Sequence, residues 1–323
     1  MIGIGANLRA LVVYLLVYQH VPVDRCVQLI ADLTGAEVSR GFVHGMLTRC
    51  AALLGEVTHW IWTLLLLAKV IGLDETTLRV GPKSAKRYAL SASTDTLTAF
   101  HLGKRDLASF IGFGFMPWYR GVIVHDRYGL YFHRFWQVAG HQACQSHLLR
   151  DFEDAGQAYP GTTWPEQAQR ALRGLIHQHN LARQAGQSEI TPQLRDPLIT
   201  EFRRAVVVGL HDVPRVPGPK KQVKQKVGRE LLEFCRDHED WVLAFCYGAG
   251  IWPTNNLSER DLRPEKTQQK ISGRLTSEDA TQARLDIRGC ISTVRKHGVP
   301  VMRALRDVIT GTPWRPPMPT AVP

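Results

Sequence analysis

The sequence predicts an α/β protein, and three observations predict it. The chain has 323 residues, 44% hydrophobic and 21% charged. That balance belongs to an ordinary folded chain and excludes a wholly disordered, collagenous or coiled-coil protein. Apolar residues recur at helical spacing over residues 1–60, and residues 146–250 are mostly helical again. Between these regions, over 66–145, the period changes to that of strands. At about 150 residues per domain the length suits roughly two domains.

Each element has a local reason. Leu8, Leu11, Val12, Leu15 and Leu16 share one helical stripe. Pro22 opens a second helix, Val23 to Leu33, which stops at Gly35; Ser39 is placed to cap a third, running to about Leu54. Two short helices joined by a Gly-containing turn match a helix-turn-helix, with Arg40, His44 and Arg49 on the reading helix. A plain helical bundle explains the same pattern. Val70 to Val80, Tyr88 to Ser93 and Thr96 to Leu102 read as three antiparallel strands. Asp106 to Phe115 reads as a helix, and Gly121-Val-Ile-Val-His-Asp126 as a buried strand ending in an acid. Pro214 to Lys226 is a Pro/Gly break followed by a basic run, either a solvated linker or a phosphate-contacting arm. Helices resume over 251–310, and the proline-rich tail after Pro313 is expected to be disordered.

Charge and composition narrow the function. Forty Lys and Arg against 29 Asp and Glu give +11, with a pI near 9.6, so a polyanion is the first partner to consider. The six cysteines are scattered without a Cys-x-x-Cys pair and read as reduced thiols of a cytosolic protein. The N-terminus lacks the basic region and cleavage site of a secretory signal. The most apolar run, Trp60 to Leu73, is interrupted by Lys69 and Gly72 and falls short of the ~20 residues that span a bilayer, so it is read as core. No phosphate-binding glycine loop points to a nucleotide cofactor.

Three acids could hold metal. Asp74 is expected near the end of the first strand, Asp126 ends the buried strand, and Glu259 sits in the first turn or so of a helix. An acid at the end of a buried apolar strand is costly unless compensated. Carboxylates converging from different elements repel one another, and a divalent cation removes that penalty. Mg²⁺ suits such a site because it takes one or two carboxylates and keeps water and phosphate oxygens in the rest of its octahedron. Taken singly, Asp74 or Asp126 is more simply a strand-end acid capping a turn, and Glu259 an acid satisfying a helix dipole. Glu75 competes with Asp74, but neighbours in a strand face opposite ways, so one alone can join a cluster. Glu259, Arg263, Lys266 and Lys270 fall on one helical stripe, suited to a phosphodiester backbone or to plain solvation. Pro264 interrupts this stretch, and a helix beginning near Arg263 would weaken the stripe. Cys144 and His147 make only half of a zinc spacing, so no zinc site is expected. His147 and Arg150 share a helix face available to phosphate.

These residues carry a resemblance. Leu73-Asp-Glu-Thr-Thr-Leu-Arg-Val80, Gly121-Val-Ile-Val-His-Asp126 and Cys144-Gln-Ser-His147 with Arg150 resemble the transposases of the insertion sequence 66 family. So do Asn255-Asn-Leu-Ser-Glu-Arg-Asp-Leu-Arg-Pro264, Gln268-Gln-Lys-Ile-Ser-Gly273, Arg295-Lys-His-Gly298 and Ala304-Leu-Arg-Asp307, together with the N-terminal Leu8 to Leu16. The likeness covers roughly residues 7–314, and the Asn-Asn-x-x-Glu-Arg block is its most specific part.

The resemblance implies a DDE catalytic core of the ribonuclease H-like fold, with Asp74, Asp126 and Glu259 as metal ligands. Their separations (126 − 74 = 52 and 259 − 126 = 133) leave room for a helical insertion before the Glu. The implied organisation is a helix-turn-helix-like region over 1–60, the first part of the core over 66–160, a helical insertion with a basic linker over 161–250, the final core and C-terminal helices over 251–312, and a disordered tail over 313–323. Two Mg²⁺ ions, replaceable by Mn²⁺, would serve hydrolysis at transposon ends and then strand transfer. His147, Arg150, Arg260, Arg263, Lys266 and Lys270 are candidate DNA contacts. Transposon-end and target DNA, further copies of the chain and accessory proteins of the same element are the implied partners, in the cytoplasm at a bacterial nucleoid and away from membranes. Family members usually carry a further N-terminal stretch before the Leu8 block, and Met1 stands almost at that block, so a shortened copy is expected. Two other readings compete: a DNA-binding remnant without catalysis, and a structure-specific nuclease of the same fold.

Overall fold

The computed structural model describes residues 5–218 and 223–319. Helix α1 (Ala6–Val13) continues into a π-helical turn, Tyr14–Tyr18, and is followed by α2 (Val23–Thr34), α3 (Arg40–Leu53) and α4 (Gly55–Leu67). Strands β1 (Val70–Leu78), β2 (Arg87–Ser93) and β3 (Thr98–Gly103) lead to α5 (Leu107–Gly112), β4 (Val122–His125) and β5 (Gly140–Ala143). The helical stretch comprises α6 (Gln145–Ala158), α7 (Trp164–Gln184), α8 (Pro192–Asp212), α9 (Arg229–Asp237) and α10 (Glu239–Leu243). It is followed by α11 (Asn256–Ser272), α12 (Glu278–Lys296) and α13 (Val301–Ile309). The chain is thus a mixed α/β protein. Its described residues fall into two compact units, one of 5–121, 129–137 and 256–319, the other of 122–128, 138–218 and 223–255.

In the first unit β1, β2 and β3 form an antiparallel meander, with Gly72 opposite Ser93, Leu78 opposite Arg87, and Tyr88 opposite Gly103. Thr94 closes the β2–β3 turn by accepting from the Leu97 amide at 2.9 Å. Leu78, Val80, Ala89, Phe100, Leu262 and Leu285 form the core between this sheet and helices α11 and α12. Gly289 lets α12 approach β3 closely, since a Cβ there would lie 3.0 Å from the Thr98 carbonyl oxygen. The N-terminal helices follow their sequence signals: Gly35 ends α2 at φ +67°, and Ser39 accepts from the Phe42 amide at 3.0 Å to cap α3. Arg284 of α12 ties this region down by donating to the Leu16 carbonyl oxygen at 2.7 Å.

The run Trp60 to Leu73 supplies core residues as expected, with Ile61, Leu64, Leu65, Ile71 and Leu73 buried, and is divided between the end of α4 and the start of β1 with Ala68 extended at the joint. Two local expectations need correction. Helix α11 begins at Asn256 and carries Pro264 in its interior, so the helix does not wait for Arg263. The tail differs from the expected disorder as far as residue 319: Trp60 Nε1 donates to the Pro316 carbonyl oxygen at 2.8 Å, and Arg315 pairs with Glu56. Residues 320–323 lie outside the described residues.

In the second unit β4 and β5 pair in parallel, with Val122 opposite Gly140 and His125 opposite Ala143. Helices α6 to α10 enclose a core centred on Trp164, with Phe152, Phe202, Leu232 and Phe245 buried around it. Gly209 makes room for the indole, because a Cβ there would meet Trp164 at 2.9 Å. Within the basic run, Pro219, Lys220, Lys221 and Gln222 lie outside the described residues. Lys224 and Lys226 are exposed, and Gln225 pins the loop by bonding both the amide and the carbonyl oxygen of Val216, at 2.9 and 3.0 Å.

Candidate active site

Asp74 does not stand near the end of its strand, as expected, but in the middle of β1, because the strand continues through Glu75-Thr-Thr-Leu78, and its Oδ1 accepts from the Glu75 amide at 2.9 Å. Its neighbour Glu75 is already committed. The Glu75 side chain is 2% exposed, accepts from Arg105 Nε at 2.7 Å and from the Tyr131 hydroxyl, and so serves as a structural acid.

Glu259 lies in the first turn of α11, where an acid complements the helix dipole. Two clamps set α11 along β1. Gln269 Nε2 donates to the Thr77 carbonyl oxygen at 2.7 Å, while its Oε1 accepts from the Arg79 amide at 3.2 Å. Near the other end Asp261 accepts from Ser93, the residue opposite Gly72, at 2.7 Å. The helix therefore runs in the same direction as β1, and its first turn, with Glu259, lies toward the Gly72 end of β1.

Asp126 follows β4 in the second unit, and its Oδ1 accepts from the Tyr128 amide at 2.9 Å. This is an Asx turn, which fixes the carboxylate immediately after the strand. The preceding His125 is fully buried and its Nε2 lies 3.1 Å from His141 Nδ1. Burial, then the neighbouring His141, push the His125 ring down to about 3, so it is neutral at physiological pH. In the same unit Cys144 precedes α6, and its Sγ accepts from the Asn255 amide at 3.2 Å. His147 and Arg150 follow on α6, with Arg150 exposed and its Nε donating to the Ser146 carbonyl oxygen at 3.2 Å.

The cationic candidates divide by helix. On α11, Arg263, Lys266 and Lys270 are all exposed, and the helix is continuous across Pro264, so they form one stripe with Glu259. On α3 the three candidates do not share a face. Arg40 and His44 are one turn apart, whereas Arg49 is nine residues from Arg40, about half a turn round the helix. All three are exposed, and Arg40 pairs with Asp24 at 2.7 Å.

Sequence reasoning missed a buried polar knot beside Glu259. Asp261 Oδ2 accepts from Ser93 at 2.7 Å, Thr98 at 2.9 Å and Lys296 at 2.7 Å, and its Oδ1 accepts from Ser292 at 3.1 Å. Burial lowers the Lys296 ammonium from its ordinary value, and Asp261 opposes that shift. Asp261 stands in the same sequence block as Glu259, but nothing local marks it as the buried acid of the two. Among the described residues no single helix is long and apolar enough to cross a membrane.

Arg263, Lys266 and Lys270 give this mixed α/β chain a row of exposed cations on the helix that carries Glu259. The family model described as transposase IS66 family matches residues 2–283, most of the chain. The chain belongs to that family. It is therefore a transposase of a mobile insertion sequence by kind, an enzyme class that cuts and transfers DNA, and DNA is its partner. A comparison with curated proteins found no match.

Proposed function

We propose that the chain is a DDE transposase with a ribonuclease H-like core, in which Asp74, Asp126 and Glu259 together hold a pair of Mg²⁺ ions, with Mn²⁺ able to replace them. The observation that carries this reading is the placing of Glu259: its helix is clamped along β1, the strand of Asp74, with its first turn toward the Gly72 end, and then presents a row of three cations. The donor set fits the group, since three carboxylates supply the hard oxygen ligands that Mg²⁺ prefers. When bound, divalent cations supply charge neutralisation at the scissile phosphate and activate the attacking oxygen.

The chain's own residues position everything else. Backbone amides hold one oxygen of Asp74 and of Asp126 in place. Arg263, Lys266 and Lys270 guide the phosphodiester backbone along α11 toward Glu259, with Arg260, His147 and Arg150 as further phosphate contacts. α2 and α3 act as a helix-turn-helix-like reader, through Arg40 and His44 on one side of α3 and Arg49 on the other. The helices of the second unit are the insertion between Asp126 and Glu259. The protein works on element ends and target DNA at the bacterial nucleoid, as an assembly of copies with accessory proteins of the same element.

Asp126→Asn tests the reading. The variant should lose Mg²⁺-dependent nicking of DNA carrying the element's terminal repeats while binding that DNA as before. Undiminished nicking would remove Asp126 from the site. Nicking by the unaltered chain without any joining of ends to target DNA would favour a nuclease over a transposase.

A further inference from the structure

A polar cavity of about 320 Å³ opens in the first unit between α11 and α12. It is lined by Arg260 of α11 and by Arg288, Ser292, Arg295 and Lys296 of α12, with Asp261 and Asp95 as its acids. The charges do not cancel. Lys296 is tied to Asp261 at 2.7 Å, and the same acid also holds Ser93, Thr98 and Ser292. That leaves three guanidinium groups against Asp95, which is exposed.

Arg288 is the unusual member. It is 6% exposed, yet its Nε and Nη1 find no hydrogen-bond partner among the described residues. Its guanidinium lies 5.3 Å from the Tyr18 ring centre, and that of Arg295 lies 5.4 Å from the same ring. Tyr18 thereby orients two cations at this cavity through cation–π contact. The buried Glu265 is the acid that acts on Arg288, and both its oxygens also lack hydrogen-bond partners among the described residues. A buried guanidinium with unused donors costs free energy until an acceptor arrives. A planar guanidinium suits a phosphate because it can donate two parallel bonds.

We infer that this cavity is a phosphate-binding site, in which Arg260, Arg288 and Arg295 grip one phosphate group of DNA. It rests on the DNA-handling role proposed above and extends it from the exposed α11 stripe to a built pocket on α12. Arg288 and Arg295, two turns apart on α12, have not been assigned a function before this point. A phosphodiester and a free phosphate present the same chemistry, and the experiment separates them.

The test uses the full chain with Arg295→Gln and Arg260→Gln, both exposed positions, and Arg173→Gln, an exposed arginine of α7 given no role in DNA handling, as the control. Inorganic phosphate is titrated against thermal unfolding, and a labelled DNA duplex is titrated by fluorescence anisotropy at several salt concentrations. Phosphate should raise the melting temperature of the unaltered chain and of Arg173→Gln, and raise that of the two pocket variants far less. Arg295→Gln should weaken duplex binding about tenfold and lower the slope of log affinity against log salt by about one. Absence of a phosphate shift in the unaltered chain, or an equal shift in Arg295→Gln, overturns the site. A shift lost in Arg295→Gln with unchanged duplex binding overturns DNA as the source and assigns the pocket to free phosphate. Failure of the unaltered chain to bind any duplex sinks the transposase reading, and the phosphate arm still decides the pocket.

Discussion

Replacing Asp261 by Ala separates the structural acid of the α11 block from the proposed catalytic one. The Asp261 side chain is 8% exposed and that of its partner Lys296 12%, so the substitution strands a buried ammonium. Breaking a buried pair from one side costs about 3–5 kcal/mol. Lys296 keeps three other acceptors, the carbonyl oxygens of Thr94 and Leu97 and the Thr98 hydroxyl, at 2.8, 3.0 and 2.7 Å, which favours the low end of that range. About 3 kcal/mol corresponds to a fall in Tm of about 6–12 °C for a cooperative unit of 150–250 residues. Differential scanning calorimetry reads it directly. Glu259→Gln should leave Tm nearly unchanged. Adding Lys296→Met to Asp261→Ala should restore part of the loss, because the stranded charge is gone. A change below about 0.5 kcal/mol in Asp261→Ala would refute the claim that this acid holds α11 and α12 to the sheet.

Other expectations follow from burial. His20, at φ +58°, is held down to about 4 by burial and then by Arg284 and Arg288. Its unfolded form takes a proton below its ordinary value of 6.5, so the stabilisation is present above pH 6.5 and lost as pH falls toward 4. In urea unfolding His20 should contribute a loss on the order of 2 kcal/mol across that window, beside that of the buried His125, and His20→Asn, which tolerates the left-handed backbone, should remove that share alone. Burial raises the thiols of Cys50, Cys235, Cys246 and Cys290 to about 12 and that of Cys26 to about 11. A disulfide reagent at pH 8 should therefore leave these five unmodified in the folded protein and modify them in guanidinium. Gly289→Ala and Gly209→Ala should each lower stability by about 1–3 kcal/mol through overpacking, measurable as reduced denaturation midpoints at unchanged slope.

Much of the fold was legible where a local signal sufficed. Pro22, Gly35 and Ser39 mark the ends of α2 and the start of α3 because capping and breaking are chemistry between near neighbours. The strand alternation between Val70 and Leu102 likewise displays the meander. Elements without a periodic contrast were hidden. α4 is nearly all apolar toward its end, so it merges with the strand that follows, and β5 is only four residues, Gly-His-Gln-Ala, with no strong strand former. Pro264 argued against a helix that long-range packing nonetheless continues through it. The candidate acids stand far apart in sequence, so no local periodicity links them; their places at strands and a helix start made them candidates, and the resemblance joined them into one set. Asp261, Lys296, Arg288 and Arg295 became visible only once α11 and α12 were seen side by side, because what joins them is a contact between helices.

The central claim is that Asp74, Asp126 and Glu259 share divalent cations. Electron paramagnetic resonance of Mn²⁺ titrated into the full chain measures that sharing without requiring turnover. The account predicts tight Mn²⁺ binding by the unaltered protein and a large loss of it in each of Asp74→Asn, Asp126→Asn and Glu259→Gln, with Glu75→Gln no more than weakly affected. Equal Mn²⁺ binding by the unaltered protein and all three triad variants would contradict it.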